Sequence, residues 1–328
     1  MTARRITRAR VRTARRSERI AISSPGDFRV DAPELVDGVT DETLLPYCLD
    51  VLKRRSLYVG GVEARDAQAA PFYYLHLRRH AQTIVSVPWE AGPLRGGARC
   101  APIFLFSPGR CGSTLLSRIL SDAGLGNVSE PDFYTQLTSA AAASPFNPWR
   151  AAMAGAVANM GSDLAAALGP SPVVKLRAES CRAPGLLVQQ REPRTLFMTR
   201  GFESWARSNG RAFRNGPHKT VGKYLRALAA HAWLRRSSTC HLIRYEDLLG
   251  NAAAEVTALG AFLGHRIRPD IAMATMKEDS QGGTPLEQGA RPDQPGWERR
   301  FDATMALWNS DRVRQARDRL GVDESRAG

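Results

Sequence analysis

No stretch of this 328-residue chain approaches the ~20 consecutive apolar residues that a membrane-spanning helix needs. A membrane-embedded or membrane-anchored protein is therefore not expected. The N-terminus is basic, but no apolar segment of the secretory-signal kind follows it. Cysteine is scarce: Cys48, Cys100, Cys111, Cys181 and Cys240 are odd in number and form no CxxC pair. None lies with histidine at zinc-ligand spacing. A disulfide framework and a structural metal are both disfavoured, and a reducing cytoplasm fits. Acid is short as well, with 32 Asp+Glu against 46 Lys+Arg and a formal net charge of +14.

What is there reads as globular. Hydrophobic residues make up 43% and charged residues 24%, a composition that can bury a core. The length allows one large α/β domain or two small ones. Half of the net charge lies in the first 20 residues, which hold eight arginines and one acid, Glu18. No aromatic residue interleaves these arginines, as in a nucleic-acid arm. Residues 1–25 are therefore expected as a disordered basic tail, and nucleic acid is not expected as a partner.

Residues 26–97 are expected as an accessory segment packed on the core. They include a helical stretch from Glu42 to Arg54, a strand over 82–88, and a breaker-rich connector over 90–97. His76 and His80 would share a face if their segment is helical. From 98 the pattern becomes regular. Short apolar runs at 102–107, 172–176, 195–199 and 240–244 read as buried strands. Helical patterns at 114–123, 147–168, 202–214, 219–237 and 251–263 separate them. This alternation predicts a three-layer α/β/α P-loop-like fold with a central, mainly parallel sheet over 98–320. Residues 278–296 form a Gly/Pro/Gln-rich loop, a final helix is expected from Trp297 to Leu320, and 321–328 form a tail.

The strongest local signal is Phe106-Ser-Pro-Gly-Arg-Cys-Gly-Ser-Thr-Leu115, between an apolar strand and an amphipathic helix. A tight turn there aims several backbone N–H groups at one spot beside the positive end of a helix dipole. Gly109 and Gly112 permit close approach of an anion, Ser113 and Thr114 add hydroxyls, and Arg110 supplies a fork of donors. The Walker pattern needs a lysine after its last glycine, and here Ser113 stands in that place.

The string Arg110-Cys-Gly-Ser-Thr-Leu-Leu-Ser-Arg-Ile-Leu120 resembles the 5′-phosphosulfate loop of sulfotransferases that use 3′-phosphoadenosine 5′-phosphosulfate (PAPS). Cys111 stands where many members have serine, so one hydroxyl is lost. Arg200-Gly-Phe-Glu-Ser-Trp-Ala-Arg-Ser208 resembles that family's 3′-phosphate motif, an arginine at a strand end with a serine eight residues on. Leu242-Ile-Arg-Tyr-Glu-Asp-Leu-Leu249 resembles its segment near the adenine, where Tyr245 could contact the nucleotide. The family's C-terminal Arg-Lys-Gly clamp is absent, and residues 279–284 are the candidate to serve that region.

The resemblance implies transfer of a sulfuryl group from PAPS to a hydroxyl or amine, with no metal. It implies that Gly109, Arg110, Cys111, Gly112, Ser113, Thr114, Arg200, Ser208 and Tyr245 bind the donor. It makes Arg110 and Lys175 the charges that stabilise the leaving phosphate. Lys175 lies on the strand where cytosolic members carry a lysine two residues before a histidine. Arg177 occupies that histidine's place and cannot act as a base. Glu130 is the expected general base, at about the position of a catalytic glutamate in protein-tyrosine sulfotransferases. The acceptor is expected to be a small molecule or glycan. Phe133, Tyr134, Phe146, Trp149 and Phe213 are read as core before acceptor pocket. His241 is read as core, and His218 and His231 stay open as acceptor-site groups. The alternatives are a small-molecule or nucleoside kinase and a non-catalytic nucleotide-binding protein.

Overall fold

A computed structural model describes residues 5–14, 21–38, 44–95, 102–144, 148–169, 173–189, 193–278 and 296–321. Phe146 and the loop over 279–295 lie outside the described residues. The chain forms two compact units, Met1–Ile103 with Gly126–Leu176, and Phe104–Leu125 with Arg177–Gly328. This division differs from the expected boundary at residue 97, because 126–176 groups with the N-terminal part of the chain.

The first unit opens with β1 (Ile6–Ala14), β2 (Phe28–Val30), β3 (Glu34–Val36), β4 (Leu45–Asp50), β5 (Arg55–Gly60), α1 (Ala64–Ala69), α2 (Tyr73–His80) and β6 (Thr83–Pro88). The strands form an antiparallel sheet in the order β2-β1-β6-β5-β4, with β3 also paired to β1. This corrects the expectation of a disordered tail. Within the arginine-rich run, Ala9 is buried and Arg10 and Arg12 are exposed. The charges stand on one face of a strand, where period-two alternation lets them stay in water. The described part of the helix expected from Glu42 to Arg54 is likewise not helical: it is β4 and the turn that leads into β5. Pro46 inside that stretch is incompatible with a helix interior. Leu52, which completed the helical spacing, is 96% exposed.

A buried ion pair ties these elements together. Arg78 on α2 lies 3.2 Å from Asp27, and both side chains are almost fully buried. Tyr47 donates to Asp27 at 2.6 Å and accepts from Arg78 Nε at 2.9 Å. Burial raises the Tyr47 hydroxyl above its ordinary range, despite the nearby Arg78. Asp132 accepts from the backbone and hydroxyl of Ser23 at 2.7 and 2.9 Å. Charges this deep are tolerable only when paired and hydrogen-bonded.

The chain passes through β7 (Ile103–Phe106) and α3 (Ser113–Asp122) of the second unit. It returns to the first through β8 (Asn127–Ser129), α4 (Asp132–Ala143), α5 (Arg150–Leu168) and β9 (Val173–Lys175). β8 and β9 pair in parallel, with Ser129 opposite Lys175. The second unit then continues with β10 (Arg194–Thr199), α6 (Phe202–Ala212), α7 (Pro217–Ser237), β11 (Thr239–Arg244), α8 (Tyr245–Gly250), α9 (Ala252–Leu263), α10 (Pro269–Thr275), α11 (Trp297–Trp308) and α12 (Asp311–Arg319). β10 pairs in parallel with both β7 and β11. The chain is thus α/β with the expected parallel strands, preceded by an antiparallel sheet that the sequence pattern does not announce. The expected single C-terminal helix is two, broken at Asn309 and Ser310.

An aromatic cluster fixes α6, α7 and α11. Phe202 stacks on Trp308 at 3.7 Å, and Tyr224 meets Phe202, Trp205 and Trp308 at 5.1, 4.8 and 5.5 Å. His231 stacks on Phe197 of β10 at 4.6 Å. It is half-buried and packed on that core strand. Its pKa is pushed down to about 4 by burial first, then by Arg235 and Arg244. The unfolded chain therefore takes up this proton first as pH falls, and stability drops between about pH 6.5 and 4. We expect His231→Leu to flatten that part of the stability profile by on the order of 2 kcal/mol, read from urea unfolding at pH 7 and pH 4.5. An unchanged slope would contradict it.

Candidate functional site

β7 ends at Phe106, and α3 begins at Ser113. Between them Gly109, Arg110 and Gly112 adopt positive φ angles of 71°, 57° and 87°. Such left-handed residues fold the backbone back so that its amides converge, the arrangement that makes anion-binding nests. The first amides of a helix have no intrahelical acceptor. In α3 the Leu116 amide bonds back to the Gly112 carbonyl at 3.0 Å, which leaves those of Ser113 to Leu115 directed at the helix mouth.

Side chains hold the turn. The indole N–H of Trp205 donates to the Gly109 carbonyl at 2.6 Å. The Ser107 hydroxyl accepts from the Gly109 amide at 3.2 Å. Cys111 and Cys181, both buried thiols, donate at 3.5 Å to the carbonyls of Met198 and Ser107. Burial pushes the Cys181 thiol up to about 12. Gly112 is needed twice over. Its φ disfavours any side chain, and a Cβ there would stand 2.4 Å from the Tyr245 ring and 3.1 Å from Met198.

The other expected donor residues gather in the same unit. Arg110 Nε donates to the Ser208 hydroxyl at 3.3 Å. Arg200 Nε donates to Ser204 at 2.9 Å, and its guanidinium lies 4.5 Å over the Tyr245 ring. Tyr224 donates to the Arg200 carbonyl. Glu246 accepts from the Gly201 amide at 3.0 Å and from Ser204 at 3.3 Å. The resemblance aims Arg200 and Ser208 at one phosphate group; within the protein itself Ser208 bonds Arg110, and Arg200 bonds Ser204. Ser204, Trp205 and Glu246 escaped sequence reading. All three stand inside the quoted motifs, but nothing in their spacing marks them as partners. Arg110, Arg200, Ser208 and Tyr245 are all half-buried, held yet reachable.

Glu130 and Lys175 belong to the first unit and meet each other. Lys175 Nζ lies 2.8 Å from Glu130 Oε1, with side chains 3% and 14% exposed. The ammonium also donates to Ser129 at 3.1 Å and lies 5.1 Å from the Phe72 ring. The Ser129 hydroxyl in turn donates a hydrogen bond to the Pro71 carbonyl at 2.6 Å. Glu130 has a φ of 62°, uncommon for a non-glycine residue. Its amide bonds the Lys175 carbonyl at 2.7 Å. Strand pairing and side-chain pairing thus fix the carboxylate together.

Phe133 and Tyr134 are buried, whereas Trp149 is 41% exposed with Arg54 stacked 3.2 Å over its ring. Phe213 is half-buried, and Lys223 Nζ lies 5.3 Å from its ring. His241 stacks on Phe262. His76 and His80 do share a helical face, with rings 4.5 Å apart. Among the described residues no three or more His, Cys, Asp or Glu side chains gather as metal ligands, and no helix is long and apolar enough to cross a membrane.

No family model matches the chain, and no curated protein matches it. Solved structures similar to it include sulfotransferases and a retinol dehydratase. A sulfotransferase domain from the curacin biosynthetic pathway is 15% identical, with a TM-score of 0.42 over 68% of this chain and 98% of that one. A mouse sulfotransferase complexed with PAP is 15% identical, with a TM-score of 0.39 over 67% and 90%. Retinol dehydratase in complex with androsterone and PAP is 13% identical, with a TM-score of 0.40 over 85% and 96%.

The geometry at Gly112 gives a direct test. Gly112→Ala should cost about 1–3 kcal/mol through overpacking and left-handed strain. Part of that cost should vanish in a Tyr245→Ala background, because the clash is with that ring. A double-mutant cycle by chemical denaturation measures the coupling; strict additivity would show that the ring does not constrain the turn.

Proposed function

We propose that this chain is a PAPS-dependent sulfotransferase acting on a hydroxyl or amine of a small-molecule or glycan acceptor. One observation carries the reading. The hydrogen bond from Arg110 to Ser208 joins the left-handed turn at α3 to the strand-end motif of α6, which begins just after Arg200. Two cationic, donor-rich groups of separate motifs therefore belong to one connected set, as a ligand with two separated anionic ends requires.

The residues present fit such a ligand. The turn through Gly109, Arg110, Cys111 and Gly112, with the amides and hydroxyls of Ser113 and Thr114, suits a 5′-phosphosulfate. Arg110 neutralises charge there, and its fork of donors suits oxyanions. Arg200 and Ser208 suit the 3′-phosphate, with Tyr245 beside Arg200 as a flat surface for the nucleotide. PAPS supplies an activated sulfuryl group, and transfer leaves charge on the departing phosphate. By analogy with phosphoryl transfer, positioning and electrostatics do most of the work.

Lys175 and Glu130 are proposed as the proton-handling pair of the same reaction. Glu130 offers the kind of group that accepts a proton from an acceptor hydroxyl. Lys175 offers a compact cation on a nearly dry strand. The four cysteines among the described residues are all free thiols, and we place the enzyme in the cytoplasm on that ground.

Melting-temperature titrations with adenosine 3′,5′-bisphosphate, ADP, ATP and GTP test the nucleotide assignment. Preferential stabilisation by the 3′,5′-bisphosphate is expected, and Arg200→Ala should weaken it about tenfold or more. Stabilisation by ATP alone would favour a kinase instead. For the base, Glu130→Gln should keep nucleotide binding and lower turnover by roughly 10²-fold or more, measured against an acceptor found by screening. Near-normal turnover in that variant would remove Glu130 from the mechanism.

A further inference from the structure

A lysine that no motif marks stands against the phosphate loop. Lys223 lies on α7, next to Tyr224. That neighbour is anchored by its rings to Trp205 and Trp308 and by its hydroxyl to the Arg200 carbonyl. The backbone at Lys223 is therefore fixed relative to the site. Its ammonium reaches the turn itself: a Cβ built on Gly109 would lie 3.8 Å from Lys223 Nζ. The same point is 3.4 Å from the Ala178 methyl, which brings in the short helical turn Ala178–Arg182. That turn is itself held to the loop by the Cys181 thiol on the Ser107 carbonyl.

Glu179 is on this turn, and its carboxyl is held below the usual carboxylate range. Burial alone would raise it; Lys223 foremost, then Arg177, more than offset that. Glu179 and Lys223 are thus neighbouring opposite charges. The Phe213 ring covers another side of the ammonium at 5.3 Å, a contact favourable to a cation.

Position along the loop decides what Lys223 can reach. Ser113 and Thr114, at the start of α3, suit the phosphate nearest the helix. Gly109 lies at the strand side of the turn, before Arg110 and Gly112. A cation at Gly109 is therefore placed for the next anionic group outward. A lysine suits that task, because its ammonium is a compact charge with three donors on a flexible stem.

We propose that Lys223 binds the terminal sulfuryl group of the donor. This rests on the PAPS reading given above. The probes are PAPS and adenosine 3′,5′-bisphosphate, which differ by that sulfuryl group, with dissociation constants measured by calorimetry on the full chain. Lys223→Met should lose about tenfold in affinity for PAPS and stay within about twofold for the bisphosphate. Lys223→Arg should recover most of the loss. Lys223→Gln, with the same pair of constants expected, takes the place of the Met variant if that protein does not fold. Equal weakening of both nucleotides, or no change in either, overturns the assignment of Lys223 while leaving the PAPS reading standing. Failure of the unaltered protein to bind either nucleotide overturns both.

Discussion

The left-handed turn through Gly109, Arg110 and Gly112 carries the chain from a buried strand into a buried helix without closing off the helix's first amides. Two of its residues are glycines, for which the conformation is nearly free. Arg110 is not, and a non-glycine residue there costs on the order of 1–2 kcal/mol. Contacts from two other segments offset that cost: Trp205 and Ser208 of α6 on the Gly109 carbonyl and the Arg110 guanidinium, and Cys181 on the Ser107 carbonyl. α6 is in turn positioned by the Phe202–Tyr224–Trp308 cluster. The geometry of the turn is therefore a property of more than its own residues, and a core aromatic residue such as Trp308 supports it from outside.

The first unit solves a different problem with the same chemistry. Its interior contains Asp27, Arg78, Lys175 and Asp163, all charged and all nearly inaccessible. Each has a partner of matched charge or a set of donors. Asp163, for example, accepts from Tyr58 at 2.7 Å and from the amides of Leu94 and Arg95 at 3.1 and 2.9 Å. Such groups are costly to bury and costlier to strip of one partner. They leave few alternative arrangements of the sheet and the helices that cover it.

Strand, loop and helix around Phe106–Asp122 were legible in the sequence because the signal is local: an apolar run, two glycines and a helical face within about twenty residues. The parallel strands β9, β10 and β11 were legible for the same reason. The antiparallel sheet was not. In β1 the arginines dominate any count of charge, and the alternation of Ala9 with Arg10 and Arg12 shows only once neighbouring strands supply a buried face. Over β4 and the turn after it the residue pattern imitated a helix, although Pro46 argued against it. The division of the chain into units was invisible, since it depends on contacts between residues far apart in sequence. At the site, residue types were readable and pairings were not. Ser208 was singled out without its partner, Arg110; Ser204 on Arg200 and Glu246 on Ser204 came unannounced. Glu130 and Lys175 were picked separately on resemblance, and only the register of β8 on β9 makes them a pair.

The two thiols at the turn have a practical meaning. In the closed arrangement Cys111 and Cys181 are buried, and burial keeps Cys181 protonated, so an alkylating reagent in water meets neither a surface nor a thiolate. Modification has to wait for the turn to detach from Met198 and Ser107. The rate at which these cysteines are labelled is then a clock for the opening of the loop, and any anion that bridges its amides would slow that clock. A substitution of serine for cysteine at 111, while adding a hydroxyl, would erase one of its two hands.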